Sequence, residues 1–276
     1  MSRIATKFAT LREQKRGALI TFLEAWDPDP ATSMALLRGM PAAGADLIEI
    51  GCPFTDPMAD GPTIQLAAKR ALAAGGSMTH TLAMVRDFRR EDDTTPIILM
   101  GYLNPILSYD PARFCTDAEA AGVDGLIVVD LPSEEAALLA PHAAAHGLDI
   151  IRLIAPTTDE SRLPLVLAGS SGFVYYVSIT GVTGTRTATA DELATAIPLI
   201  RRFTDLPIAV GFGVRSPSQA AEAVRAADAA VVASALIDTL ANGLDTRGRP
   251  RPDTVRRVLD QVRALADGVR TARIPA

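Results

Sequence analysis

A glutamate interrupts an apolar, strand-like run at Leu47-Ile48-Glu49-Ile50, and a proline-rich loop carrying Asp56 and Asp60 follows it. An ionised carboxylate inside a buried strand is costly, so Glu49 needs either a cationic partner or a chemical task. After the loop, Thr63-Ile64-Gln65 opens a helix with Pro62 near its first turn, where a missing N–H costs little. Glu49 at a strand end and Asp60 in a stiff loop are therefore placed to converge on one cavity. Two carboxyls in different surroundings supply an acid and a base near neutral pH. The competing reading pairs Glu49 with an arginine and leaves Asp60 to make a turn; spacing alone leaves both open.

Other chemistries find little support. Lys7, Lys15 and Lys69 are the only lysines, all in or beside helices, so none ends a strand where a Schiff base would form. This argues against pyridoxal phosphate bound by this chain. Cys52 has no histidine near it in sequence and reads as a small buried thiol. His142 and His146 stand at i and i+4, but no third ligand accompanies them and their helix is expected on the outside of the fold; His80 is isolated. No metal site is expected. Any carbon–carbon chemistry here has to run on acids and bases alone.

The elements that hold these residues follow from periodicity. Apolar, β-rich runs recur over 18–23, 47–50, 97–100, 126–129, 150–154, 173–177, 208–210 and 229–232, with helical patterns between them, among them 31–40, 64–74, 113–121 and 133–145. Eight strands alternating with helices within about 220 residues suit a closed (β/α)₈ TIM barrel, a single domain over 1–276 with its core at about 17–265. Ala43-Gly44-Ala45-Asp46, Ala121-Gly122-Val123-Asp124 and Ala226-Ala227-Asp228 make a weak internal repeat, each ending a helix before a strand. Ile4, Phe8 and Leu11 recur at helical spacing behind Ser2, which predicts an extra N-terminal helix plugging one end. At the other terminus, Val255, Val258, Leu259, Val262 and Leu265 form a stripe expected to stop near Gly268.

The longest interval, after the second strand, holds the acidic loop, and long βα-loops lie at the catalytic face of such barrels. The Gly- and Thr-rich stretch 178–190 reads as a lid. Glycine-bearing segments follow strands six, seven and eight, where barrels often bind phosphate through backbone N–H groups and a helix N-terminus. Ser234 is placed to add a hydroxyl and to cap the next helix. Phe22, Met100, Ile127, Tyr175 and Phe212 are expected near the mouth, a wall suited to a flat aromatic substrate.

A net charge of −5 gives no basic footprint for nucleic acid, and two cysteines fit a reducing cytosol. No apolar run approaches the roughly 20 residues that span a bilayer, and residues 1–15 lack the apolar core of a secretory signal. A cytoplasmic location is expected.

The motif Glu49-x-Gly51-x-Pro53-Phe54-x-Asp56-Pro57-x-Ala59-Asp60-Gly61-Pro62-x-Ile64-Gln65 resembles the signature of tryptophan synthase alpha chains. The resemblance continues through Leu99-Met100-Gly101-Tyr102, Asn104-Pro105, Asp130-Leu131-Pro132, Tyr175-Tyr176-Val177-Ser178, Gly181-Val182-Thr183-Gly184 and Gly211-Phe212-Gly213, over roughly 17–265. It implies a lyase that splits indole-3-glycerol phosphate into indole and glyceraldehyde 3-phosphate in tryptophan biosynthesis. It casts Glu49 as the proton shuttle and Asp60 as partner of the indole N–H. Gly184, Gly213, Ala233 and Ser234 would hold the phosphate, with Tyr102, Tyr175 and Thr183 completing the substrate site. It further implies an α₂β₂ assembly whose beta chain carries pyridoxal phosphate, touching this chain near Asp56-Pro57 and Tyr102-Leu103-Asn104. A stand-alone indole-releasing lyase and a catalytically weakened activating subunit are the alternatives.

Two departures stand out. Ala233 replaces the family's usual Gly. The family's Thr-x-Gly-Asp-Pro after strand one is here Glu24-Ala25-Trp26-Asp27-Pro28. Phe22 and Glu24 share a strand face, so Glu24 is expected either to enter the mouth as a third carboxylate near Glu49 or to turn outward. Trp26 is expected either where the lid closes or packed on the rim.

Overall fold

A computed structural model of the chain describes residues 2–177, 190–211 and 213–272. The expected lid, with Thr183 and Gly184, and Phe212 lie outside the described residues.

The strands are β1 (Ala18–Glu24), β2 (Leu47–Gly51), β3 (Ile97–Gly101), β4 (Gly125–Val128), β5 (Asp149–Ile150), β6 (Arg152–Ile154), β7 (Val174–Val177), β8 (Ile208–Gly211) and β9 (Ala229–Val232). The helices are α1 (Arg3–Glu13), α2 (Pro30–Ala43), α3 (Pro62–Ala73), α4 (Met78–Arg89), α5 (Leu103–Tyr109), α6 (Pro111–Ala121), α7 (Ala140–Ala145), α8 (Leu163–Leu167), α9 (Ala190–Arg201), α10 (Pro217–Ala226), α11 (Ser234–Asn242) and α12 (Thr254–Thr271). Every strand pairing is parallel, in the order β5-β4-β3-β2-β1-β9-β8-β7-β6. The two ends of that order, β5 and β6, are separated in the chain by Ile151 alone, so the sheet closes on itself as a TIM barrel. The fifth barrel strand is thus interrupted: its first half pairs with β4 and its second with β7.

Alternation decides which side chains look inward. Leu19, Leu23, Ile48, Ile50, Ile97, Leu99 and Leu126 pack between the sheet and the helices. Ile20, Leu47, Ile98, Ile127, Phe173, Tyr175 and Val231 fill the interior, where Ile4, Phe8 and Leu11 of α1 join them. Phe8 meets Phe173 with ring centroids 5.9 Å apart, and Ser2 caps α1 by accepting from the Ala5 N–H at 3.2 Å. The N-terminal helix is therefore a plug, as its spacing predicts. Glu49 is in phase with Leu47, and Glu24 with Ile20 and Phe22, so both carboxyls fall on the inner face.

The internal repeat has a structural cause. Asp46 Oδ2 accepts from the Leu19 N–H (2.9 Å), Asp124 Oδ2 from Ile97 (2.8 Å) and Asp228 Oδ2 from Ile208 (2.7 Å), so each aspartate closes the start of a neighbouring strand. Each is also held by arginine: Arg16 on Asp46, Arg3 and Arg89 on Asp124, Arg201 on Asp228. Asp124 is the most enclosed of the three at 5% exposure and has two cationic partners. Removing one partner of a buried ion pair costs on the order of 3–5 kcal/mol. Asp124→Ala should lower the urea midpoint accordingly while leaving kcat in place, since it lies at the opposite end of β4 from the catalytic face. A loss under about 1 kcal/mol would show the network to be marginal.

Two helix expectations need correcting. The single helix expected over 133–145 is a 3₁₀ run, Ser133–Leu138, followed by the short α7. Leu139 leaves helical geometry between them (φ −132°, ψ −38°), and Pro141, with no N–H to give, sits in the first turn of the new helix. The last helix does not stop at Gly268 but runs through it to Thr271. The glycine serves packing there: a Cβ would lie 2.4 Å from the Pro217 carbonyl oxygen, so only glycine lets α12 approach the start of α10 this closely.

Candidate active site

At the C-terminal ends of β1, β2, β3 and β7 a cavity opens, lined by Phe22, Glu24, Glu49, Asp60, Met100, Tyr102, Tyr175, Gly213, Ala233 and Ser234 among others. Sequence-expected residues from six separate segments thus meet in one place. Ile127 is the exception among the described ones: it packs in the barrel interior beside Tyr175 and Met100 and is not among the lining residues.

Glu49, at 1% exposure, carries a carboxyl oxygen, Oε1, with no hydrogen-bond partner among the described residues. Among the described residues no arginine forms an ion pair with it. Desolvation pushes its carboxyl up to about 8, which leaves it protonated at neutral pH. Asp60 is half-buried on the loop between β2 and α3. Burial raises its carboxyl to about 6, opposed by a hydrogen bond with the Tyr102 hydroxyl. One fold therefore holds a neutral carboxylic acid and an ionised carboxylate in the same cavity at pH 7, the division of roles that acid–base chemistry requires.

Tyr102 has a task that spacing did not reveal. Its hydroxyl accepts from the Ala59 N–H at 3.0 Å and hydrogen-bonds Asp60, tying the acidic loop to the end of β3. Phe54 packs on its ring with centroids 5.5 Å apart. Burial and the Asp60 charge push its phenol up, so it stays a donor. Tyr175 is enclosed beside Glu49, and burial with the Glu49 charge raises its phenol as well. Cys52 lines the cavity, but burial and the Glu24 charge push its thiol up, which suits a packing residue and not a nucleophile.

On the far side, Gly213 has φ +87°, a left-handed conformation favourable to glycine, and Ala233 precedes α11. Ala233 itself is the N-cap and no side chain caps the helix, so the expectation that Ser234 would do so is corrected: Ser234 is its first residue. Among the described residues no side chain caps the first N–H groups of α11 at the cavity edge, an arrangement that receives anions. Arg215, missed by the sequence reading, also lines the cavity and is held by Asp238 at 2.5 Å. Its position two residues beyond a Gly-Phe-Gly turn was the available signal.

Elsewhere, His146 Nδ1 lies 2.6 Å from Glu119 on the outer surface, and His80 stacks on Trp26 with centroids 4.3 Å apart. Trp26 holds φ +71°, which explains why glycine is usual at this place in the motif. It packs against the Gly75–Gly76 turn as well as His80, the rim position that the sequence left as one of two options.

The family model described as tryptophan synthase alpha chain matches residues 8–270. The tryptophan synthase alpha chain of Granulibacter bethesdensis is 68% identical over 276 residues, covering 100% of this chain and 99% of that one. This chain belongs to the tryptophan synthase alpha chain family. The alpha chain of Gluconacetobacter diazotrophicus is 69% identical over 273 residues, covering 99% of this chain and 100% of that one. Among solved structures, the tryptophan synthase alpha subunit of Legionella pneumophila superposes with a TM-score of 0.89 at 35% identity, covering 98% of each chain. A chain of tryptophan synthase from M. tuberculosis does so at 0.85 and 34% identity, covering 98% of this chain and 100% of that one. The family is an enzyme family, and its reaction is cleavage of indole-3-glycerol phosphate in tryptophan biosynthesis. The alternatives of a stand-alone lyase and a weakened activating subunit are not favoured.

Proposed function

We propose that this chain is a carbon–carbon lyase in which Glu49 and Asp60 perform the cleavage of indole-3-glycerol phosphate between them. The bond between indole C3 and the glycerol carbon breaks once C3 gains a proton and the adjacent hydroxyl loses one. Neutral Glu49 delivers its proton to C3, and its carboxylate then takes the hydroxyl proton as the bond opens, which restores the acid and leaves indole and an aldehyde. Protonation at C3 places positive charge on the ring nitrogen. Asp60, ionised and held by Tyr102, binds the N–H and stabilises that charge. The observation that carries this reading is the buried Glu49 carboxyl, its Oε1 without a hydrogen-bond partner among the described residues, facing the same cavity as the less buried Asp60.

The remaining roles combine the cavity lining with the family resemblance. Phe22, Met100 and Tyr175 bound the indole, with Ile127 packed behind Tyr175 and Met100; the resemblance adds Phe212. Gly213, Ala233 and Ser234, with Gly184, receive the phosphate, and Arg215 adds positive charge at that end; Thr183 helps close the site. The partner is a tryptophan synthase beta chain in an α₂β₂ assembly, and pyridoxal phosphate belongs to that chain. Met58 and Leu107, 78% and 45% exposed, offer apolar surface on the two segments expected to meet it. Among the described residues no helix is long and apolar enough to cross a membrane, and a cytoplasmic location is part of the proposal.

Purified chain should release indole from indole-3-glycerol phosphate, and a beta chain should raise the rate. No indole with or without the partner would overturn the reading; an unchanged rate on adding the partner would instead favour a stand-alone lyase.

A further inference from the structure

β1 ends in Glu24, which stands opposite Gly51 in the β1–β2 register, two residues beyond the Phe22–Glu49 pair. The side chain turns inward. Glu24 is 4% exposed and lines the same cavity as Glu49 and Asp60. A Cβ at Gly51 would lie 2.2 Å from Glu24 Oε2 and 2.9 Å from its Cδ, so the carboxyl crosses the end of β2 and occupies the space that residue 51 leaves empty.

The charges around it are unevenly matched. Burial does most to hold the Glu24 carboxyl above its ordinary value, and of the like charges acting on it Asp60 of the β2–α3 loop comes first and Asp27 of the turn after β1 second. Glu49 on β2 and the Cys52 thiol share the lining, with the Tyr102 phenol beyond Asp60. Arg70 of α3 is the cation within reach, but its Nε and Nη2 are bound to Asp27 at 2.6 and 2.7 Å. Arg215, across the cavity, is bound to Asp238. Among the described residues Glu24 thus has no ion partner of its own, and two carboxyls facing one enclosed space cannot both be charged at little cost. Glu24 thus enters the mouth as a third carboxyl in the cavity that holds Glu49, and Asp60 is the like charge that acts on it most.

We propose that Glu24 and Asp60 form a charge-coupled pair across the cavity, with the proton on Glu24, so that the substrate side of the cavity carries a single negative charge placed on Asp60. Glu24 is then a positioning residue. It acts through Asp60, and its retained proton keeps a second anion away from a substrate that bears a phosphate. The inference rests on the reading of Asp60 as partner of the ring N–H only for its consequence in catalysis; the pair itself is a property of the unliganded chain.

The test is an infrared titration of the purified chain, with the protonated-carboxyl band of Glu24 identified by subtracting the spectrum of Glu24→Gln. That band should be present at pH 7, and in Asp60→Asn its midpoint should fall by a pH unit or more, since the like charge is gone. Absence of the band at pH 7, or the same midpoint with and without Asp60, overturns the pair. Glu24→Thr provides the same subtraction should the glutamine variant fold poorly. The catalytic consequence is read separately. Above the midpoint of the Glu24 band KM should be up to about tenfold lower for Glu24→Gln than for wild type, the effect of one removed charge, and below that midpoint the two values should agree. If the band behaves as expected but KM does not, the pair stands and the role of Glu24 in sparing the substrate a second anion falls.

Discussion

Glu49→Gln should reduce kcat for indole-3-glycerol phosphate cleavage by 10²-fold or more, the usual scale for removing a general acid–base, while KM changes little. The amide has the size and polarity of the protonated acid that occupies this position at neutral pH, so substrate should still bind. Stability offers a control with a definite sign. A carboxyl raised to about 8 in the fold keeps its proton while the unfolded chain releases it near the ordinary value of about 4.3. Between those values the native state binds more protons, so stability falls as pH rises toward 8. Glu49→Gln removes that dependence, and at pH 8 the variant should melt no lower than wild type. A slow, stable variant identifies lost chemistry; one retaining more than about a tenth of the rate would contradict the role of Glu49.

Asp60→Asn should cost about 10²–10³ in kcat, the range seen when one electrostatic stabiliser of a developing charge is removed. Its amide still has an oxygen for the ring N–H, so binding survives better than turnover. Tyr102→Phe should give a smaller loss in the same direction, because it loosens Asp60 without removing its charge. If Asp60→Asn and wild type cleave at the same rate, the positive charge on the ring is stabilised elsewhere.

Much of this site was readable from the chain because Glu49 violates its surroundings. A carboxylate in phase with Leu47 on an otherwise apolar strand marks an inner-face position whatever the fold's details. The eight strands were readable for a related reason: parallel strands buried on both faces appear as unbroken β-rich runs. The interruption of the fifth strand at Ile151 left no mark, since Ile151 is as apolar as its neighbours. Alternation put Glu24 on the inner face but not beside Asp60, whose position depends on the path of a ten-residue loop. Tyr102 meets that same loop from β3, some 40 residues away, and no local pattern encodes such a contact. The repeated Asp46, Asp124 and Asp228 were visible as a motif, yet their task lies on neighbouring strands and required the register.

The proposed cleavage depends on two carboxyls of opposite protonation state in one cavity, and the pH dependence of kcat/KM measures this most directly. Wild type should give a bell, with activity falling below about pH 6 as Asp60 takes up a proton and above about pH 8 as Glu49 loses one. The residual activity of Asp60→Asn should lack the acid limb and that of Glu49→Gln the alkaline limb. A wild-type profile flat from pH 5 to pH 9, or variants that keep both limbs, would contradict the assignment.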